Sequence, residues 1–365
     1  GLSGNYHETV EMCPDGSGGF YLAIGTASHN GPTFKWVKEE YSKIGRRGRN
    51  FSSVKWRGWV MHYTKEGKLV PHASGFRMHN GIARDSKGMV WATDNQGDWK
   101  GTTPLYHIEK GNFYGHPSSL VWDPKWPKGK DPLHMSLAEI DKMRTMPAIQ
   151  IPHAEQIRSA SEPIEFPADG SFGPFQDQLI IPDNNGPRLA RAMLEKVNGQ
   201  YQGASTLFLD GGLLKTGNNR VLFSPNKKSL FVGQTIRGWG RMSEGLQRIV
   251  YHDQKVFDIK MMSLTKTGFR LTFTKKPSKD AAKLSSYRIE SFHYEDKWSY
   301  GSPKYDKKDH KVLSVKQIDD LTYEMEVDGL KKGKVFDLKV KAGLNRPNEV
   351  SLENRSYCYT INNLR

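Results

Sequence analysis

Four short stretches hold most of the side chains that could do chemistry: IGTASHN (24–30), TDNQGDW (93–99), PDNNGPR (182–188) and QTIRGWGR (234–241). Each joins an Asn or Gln to a Gly. Amides and carboxylates hydrogen-bond hydroxyl groups, and an indole packs its face against a sugar ring. Trp99, Asn184 and Trp239 are therefore candidate carbohydrate contacts. Asp94, Asp98 and Asp183 are hard oxygen ligands of the kind calcium takes. Arg77 and Arg237 could grip a carboxylate in bidentate fashion. His7 and His29 bracket one apolar hairpin and His79 starts another. An imidazole titrating near neutrality suits hydride abstraction from a sugar carbon, or proton abstraction in a lyase. The same residue types are also what tight turns use, and an arginine or histidine alone is as readily an ion-pair partner or a structural group.

The stretches end hairpins that repeat along the chain. HETVEMCPDGSGGFYLAIGT, HNGIARDSKGMVWATDNQG, IEFPADGSFGPFQDQLIIPDNNG and NRVLFSPNKKSLFVGQTIRG share one pattern: apolar strand, Asp/Asn-Gly-type turn, apolar strand. Asp15, Asp85, Asp169 and Asn226 occupy the equivalent turns. A second hairpin-like unit follows each: GWVMHYTKEGKLVP, PLYHIEKGNFYGHP, RLARAMLEKVNGQYQGA and GLQRIVYHDQKVFDI. Two hairpins per repeat make about four strands, the content of a propeller blade. In a propeller the polar ends would converge on the axis and form one cup. The insertion 118–163 is Pro-rich loop with a short helix in SLAEIDKMR, where Ser136 and Glu139 stand at capping-box spacing. After residue 254 the pattern changes to clean period-2 alternation rich in Thr, Val, Tyr and Phe. The expected fold is all-β: propeller blades over 1–254, about four and incomplete as a circle, then a fibronectin- or immunoglobulin-like β-sandwich over 255–365.

Bulk composition agrees. Among 365 residues, 36 glycines and 19 prolines favour short strands and turns over a helical bundle. No apolar run is long enough for a membrane-spanning helix. The chain opens without a signal peptide, which reads as a processed chain or a fragment whose earlier blades are missing or come from another chain. Cys13 and Cys358 stand far apart with no CxxC, so zinc and c-type haem sites are not expected and two free thiols are. The net charge of +15 is uneven: residues 255–365 hold 23 basic against 15 acidic residues, and 35–57 hold eight against two. Anionic glycans, acidic proteins or nucleic acid could use such surfaces. The Arg-Gly-aromatic mixture GRRGRNFSSVKWRGW also suits single strands, but nucleic acid ranks last.

The segment GFRMHNGIARDSKGMVWATDNQGD…LYHIEKGNFYGHP resembles the quinoprotein sugar dehydrogenases of the soluble glucose and sorbosone dehydrogenase type. Those propellers carry Arg-Asn-Pro-x-Gly-Leu, a hairpin, an acid-x-Gly cluster and a Gly-Asn-Tyr-Gly-x-Pro turn. Arg77–Ile82 matches the first element, with Met78 and His79 in place of Asn-Pro, and 111–117 matches the last with one residue inserted. The stretch SFGPFQDQLIIPDNNGPRLARAMLEKVNGQYQGA…SLFVGQTIRGWG…GLQRIVY is similar to a broader group of secreted bacterial propellers labelled sorbosone dehydrogenase-like or membrane-bound dehydrogenase. Many of these continue into a sandwich carrying the YGSP element found here at 300–303. The resemblance implies pyrroloquinoline quinone and calcium at the propeller axis. Arg77, Asn95, Arg188 and Arg237 would hold the quinone, with His7 as base. Asp94, Gln96, Gly97 and Asp98 would form the calcium site. The family's acidic pair after the cluster is replaced by GTTP.

The leading expectation is oxidation of a sugar by this quinone-dependent mechanism, with His7, Arg77 and Arg237 as the catalytic set. The alternatives are a lyase or hydrolase of acidic polysaccharide, or a non-catalytic carbohydrate- or protein-binding component of a cell-envelope assembly. A periplasmic, cell-surface or secreted bacterial location follows from the resemblance.

Overall fold

In the computed structural model, residues 10–26, 44–47, 50–51, 54–210, 212–235, 243–253, 256–341, 344 and 354–365 are described. They are almost entirely strand and turn and fall into two compact units. The first spans 1–147, 159–163 and 294–303; the second spans 148–158, 164–293 and 304–365.

The turn residues build the repeats. Asp15 Oδ1 accepts the amides of Ser17 and Gly19 at 2.7 and 2.9 Å. Asp85 Oδ1 accepts those of Lys87 and Met89 at 3.0 and 2.8 Å. Asp169 Oδ1 accepts that of Ser171 at 3.0 Å, and Asn226 Oδ1 that of Lys228 at 3.2 Å. In each case a short acceptor closes the chain reversal by satisfying backbone donors that the ladder cannot reach.

In the first unit, β1 (Val10–Pro14) and β2 (Phe20–Ile24) form the first hairpin. A small ribbon, β3 (Arg46–Arg47) with β4 (Asn50–Phe51), follows. β5 (Trp59–Tyr63) and β6 (Leu69–Ser74) then complete a four-stranded antiparallel sheet in the order β1-β2-β5-β6. The second repeat contributes the meander β7 (Gly81–Arg84), β8 (Val90–Thr93) and β9 (Thr103–Ile108). Ala23, Val60, Ala73, Phe76, Ile82, Ala92 and Tyr106 fill the space between these two sheets. Helix α1 (Leu137–Met143) lies in the insertion and carries the expected reciprocal cap: Ser136 N donates to Glu139 Oε2 at 2.7 Å, and Glu139 N donates to Ser136 Oγ at 3.3 Å.

In the second unit, β10 (Ile149–Ile151) precedes a blade-like meander of β11 (Ile164–Glu165), β12 (Leu179–Pro182), β13 (Leu189–Val197) and β14 (Gln200–Leu209). The fourth repeat gives three strands, β15 (Asn218–Phe223), β16 (Ser229–Thr235) and β17 (Glu244–Val250). The sandwich follows. One sheet is β18 (Ile259–Leu264), β19 (Gly268–Phe273), β22 (Val312–Gln317) and β23 (Thr322–Val327), in the order β18-β19-β23-β22. The other holds β20 (Tyr287–His293), β21 (Tyr305–His310), β24 (Lys334–Val340) and β25 (Ser356–Ile361). Leu271 and Met325 from one face meet Ile289, Phe336, Leu338 and Tyr359 from the other, as period-2 alternation requires. β25 also pairs with β14, so blade and sandwich strands share one eight-stranded sheet.

Arg191, on β13, is fully buried and is neutralised where these strands meet. Its Nη2 donates to Asp258 Oδ2 at 3.1 Å and to Ile259 O at 2.9 Å. Asn354 Nδ2 and Tyr357 OH also donate to the Asp258 carboxylate. Both cysteines are buried free thiols, and burial pushes the Cys13 thiol up to about 12. No described helix is long and apolar enough to cross a membrane.

Gly203 marks a close approach in the β13–β14 ladder. A Cβ there would stand 1.9 Å from Met193 O. Gly203→Ala should destabilise the protein by about 1–3 kcal/mol, read as a lowered urea midpoint.

Candidate functional site

β8 stops at a polar cluster because a carboxylate is needed there. Asp94, with no exposed surface, accepts three backbone donors. Arg77 N reaches its Oδ2 at 2.8 Å, while Met78 N and Asn95 N reach Oδ1 at 2.7 and 2.8 Å. The side chain therefore closes the turn that precedes β7. Lys100 Nζ lies 3.8 Å from Asp94 Oδ2 and donates to Gly75 O at 2.9 Å, Tyr106 OH at 2.9 Å and Tyr114 O at 2.5 Å. Burial pushes the Lys100 ammonium down, and the Asp94 and Asp296 carboxylates draw it back.

The turn 94–101 is held by a loop far along the chain. Trp99 N donates to Lys297 O at 2.7 Å, Gly301 N to Gly97 O at 3.1 Å and Ser302 N to Gly101 O at 2.9 Å. Gly101 N donates to Asp296 Oδ1 at 2.6 Å, and Asp296 Oδ2 pairs with Arg144 Nη1 at 2.5 Å. Over this frame lies Arg77. Its Cζ sits 5.2 Å from the Tyr300 ring centroid and its Nη2 3.7 Å from Asp98 Oδ2. A Cβ on Gly97 would stand 2.2 Å from Arg77 Cζ, so only glycine lets the guanidinium lie on that backbone. Tyr300 and Trp298 are 57% and 51% exposed. Polar atoms of the cluster that are buried without a hydrogen-bond partner among the described residues include Arg77 Nε and Trp99 Nε1, both donors, and Asn95 Oδ1, an acceptor.

The first two hairpin ends meet here, since Thr26 N and Oγ1 both donate to Arg77 O, at 2.7 and 3.0 Å. In the second unit the other two ends meet likewise. Asn184 Nδ2 donates to Thr235 O and Asn218 Nδ2 to Gly186 O, both at 3.0 Å. Asn184 is thus spent on structure. Arg188 is engaged too, its Nε on Asp210 at 3.0 Å and its Nη1 on Ala154 O at 2.8 Å. Asp183 accepts the amides of Arg158 and Asn185 at 3.0 Å each, the role Asp94 plays in the first unit.

Trp99, a candidate carbohydrate contact by sequence, is buried. It is 3% exposed and packs with Phe113, Leu120, Leu133 and Ile140, because a backbone φ of +61° turns its indole into that cluster. His79 is a core side chain without exposed surface, stacked on Phe76 with centroids 4.5 Å apart. His7, His29, Arg237 and Trp239 lie outside the described residues.

Calcium does not fit the 94–98 turn. Both Asp94 oxygens are occupied by N–H donors with an ammonium beside them, Gly97 O accepts from Gly301 N and Lys100 N, and Asp98 faces a guanidinium. Gln96 turns its Nε2 onto Gly101 O at 3.1 Å, further closing the turn upon itself. No group of three or more His, Cys, Asp or Glu among the described residues could hold a metal ion. Among the described residues of this cluster, the Arg77 guanidinium, with its unpaired Nε, matches a quinone carboxylate or oxygen.

Lys100, Arg144, Asp296, Trp298 and Tyr300 were not singled out from the sequence. The only signal was the YGSP element, which contains Tyr300.

No family model matches the sequence, and no curated protein matches it. Among solved structures, the chain is similar to an oxidoreductase (glucose dehydrogenase) from Thermus thermophilus, at 18% identity over 65% of this chain and 62% of that one, TM-score 0.37. It is similar to the PQQ-bound aldose sugar dehydrogenase of Streptomyces coelicolor at 16% identity over 63% and 57%, TM-score 0.36. The PQQ domain of pyranose dehydrogenase from Coprinopsis cinerea aligns at 12% identity over 60% and 64%, TM-score 0.38. The chain spans about three-fifths of the length of each.

Removing the Asp94 carboxylate leaves Lys100 buried against two carbonyls and the Tyr106 hydroxyl. Asp94→Ala should cost about 3–5 kcal/mol in equilibrium unfolding. Acid should act through the imidazoles. Burial holds His72 and His79 down to about 4, from an ordinary 6.5, with Asp94 opposing the shift at His79. Between these values the unfolded chain binds protons that the folded chain does not, so stability falls as the pH drops from 6.5 towards 4. His79→Phe, which keeps the stack on Phe76, should flatten that slope by up to one proton in denaturation measured across the window.

Proposed function

We propose that the protein is a carbohydrate-active propeller and that the Arg77–Asp98–Tyr300 face takes the sugar. The observation that carries this is the pair of buried, unpaired polar atoms, Arg77 Nε and Asn95 Oδ1, in a cluster flanked by exposed aromatics. A buried donor and a buried acceptor suit hydroxyl groups, which can serve both. The Asp98 carboxylate adds an acceptor, and Tyr300 and Trp298 offer faces for the C–H side of a sugar ring.

Oxidation of that sugar in the manner of the sorbosone and glucose dehydrogenases is the finer reading. It rests on the sequence resemblance around Arg77–Ile82 and 111–117 and on the match between a guanidinium and a quinone oxygen. In that reading Arg77 orients the cofactor, and a bound quinone would supply the hydride acceptor. An envelope location and partner belong to the same reading.

Calorimetric titration with a neutral aldose tests the proposal. The wild type should bind, and Tyr300→Ala should weaken binding about 3- to 10-fold, the worth of one stacking contact. Unchanged affinity in Tyr300→Ala, or no binding to the wild type, overturns it. Adding pyrroloquinoline quinone separates the finer reading: quinone binding that Arg77→Ala abolishes, with dye-linked sugar oxidation, marks a dehydrogenase. Sugar binding without quinone binding marks a binding module.

A further inference from the structure

Strands β14 and β25 pair over only three positions, Gly203 with Thr360, Ala204 with Tyr359 and Ser205 with Cys358. Just beyond them Thr206 Oγ1 donates to Ser356 O at 2.8 Å, and the ladder ends. A cleft of about 660 Å³ opens there, walled by residues 206–210 and 354–356 together with Glu155, Gln156, Leu213 and Lys339. That volume is in the range of small-molecule sites.

The charges in its wall are unequally matched. Glu155 is held by Lys304 Nζ at 2.7 Å and Asp210 by Arg188 Nε at 3.0 Å. Lys339 lies between Asp337 at 3.5 Å and Glu290 at 3.7 Å. Arg355 has no carboxylate partner among the described residues. A guanidinium without a carboxylate partner is open to an anionic group, which it can take in bidentate fashion. Gln156 supplies a second requirement. Its Nε2 donates to Ser205 O at 3.1 Å, which fixes the amide so that Oε1 is the remaining group. That oxygen is buried and accepts nothing, on a side chain only 3% exposed. It wants a hydroxyl or amide donor. Leu207, Leu209 and Leu213 provide the apolar part of the wall.

We propose that this cleft binds a small hydroxylated monocarboxylate, a sugar acid. Arg355 takes the carboxylate, Gln156 Oε1 takes a hydroxyl proton, and the leucines cover the carbon skeleton. The site lies within the second unit and is independent of the Arg77 face.

The test uses the full chain carrying Tyr300→Ala, which weakens the first sugar face through an exposed side chain, titrated calorimetrically with D-glucuronate. One molecule should bind per chain, and adding Arg355→Gln should lower the affinity at least about tenfold, as expected for a lost charge-assisted contact. Arg355 is exposed, so its replacement leaves the fold intact, which a circular dichroism spectrum checks. No glucuronate binding to the Tyr300→Ala protein, or a loss below tenfold in the double variant, overturns the proposal. Failure of the Arg77 reading shows separately, in the aldose titration of the wild type.

Discussion

An ammonium group with no exposed side-chain surface must be surrounded by oxygen, and Lys100 sets the terms for everything near it. Three acceptors and the Asp94 carboxylate meet that demand, from residues spread between Gly75 and Tyr114. Asp94 in turn fixes the backbone of Arg77 and Met78, which decides where the Arg77 side chain leaves the chain. The guanidinium can then lie on Gly97 beneath Tyr300. A buried ion pair of this kind contributes little net stability, but losing one partner is costly, so it specifies one arrangement of the turns above all others.

The atoms that hold the site differ from those left for a ligand. The oxygens of Asp94 and Asp183 accept backbone amides, which commits both side chains to closing turns. Arg77 Nε and Asn95 Oδ1 are not consumed. Polar atoms buried without partners are uncommon in folded proteins, because each forgoes its hydration. A buried donor on Arg77 and a buried acceptor on Asn95 are left for a use that the chain itself does not fulfil.

Much of the framework was legible in the residues. The turn acceptors Asp15, Asp85, Asp169 and Asn226 do what short polar side chains do at a reversal, and the Ser136–Glu139 cap follows from spacing alone. The sandwich follows from alternation. The site was less legible for a physical reason. Whether an aspartate binds a cation or caps a turn depends on which amides converge on it, and spacing does not record that. Whether Trp99 stacks on a ligand or fills a core depends on Phe113, Leu120, Leu133 and Ile140, which arrive later in the chain. Tyr300 and Asp296 are some two hundred positions away from the turn they complete.

That last separation bears on how the protein is made. The segment 294–303 belongs to the first unit, although the strands on either side of it, β20 and β21, belong to the second. During synthesis the hairpins of the first unit emerge early, yet Asp296 and Tyr300 follow only after the sandwich strands β18, β19 and β20. Until then Arg144 and Gly101 lack the carboxylate they share. Contacts so distant in sequence form slowly and leave partly assembled intermediates exposed. The polar cluster is therefore a late event in maturation, and a nascent chain halted before residue 294 would carry its hairpins but not its finished binding face.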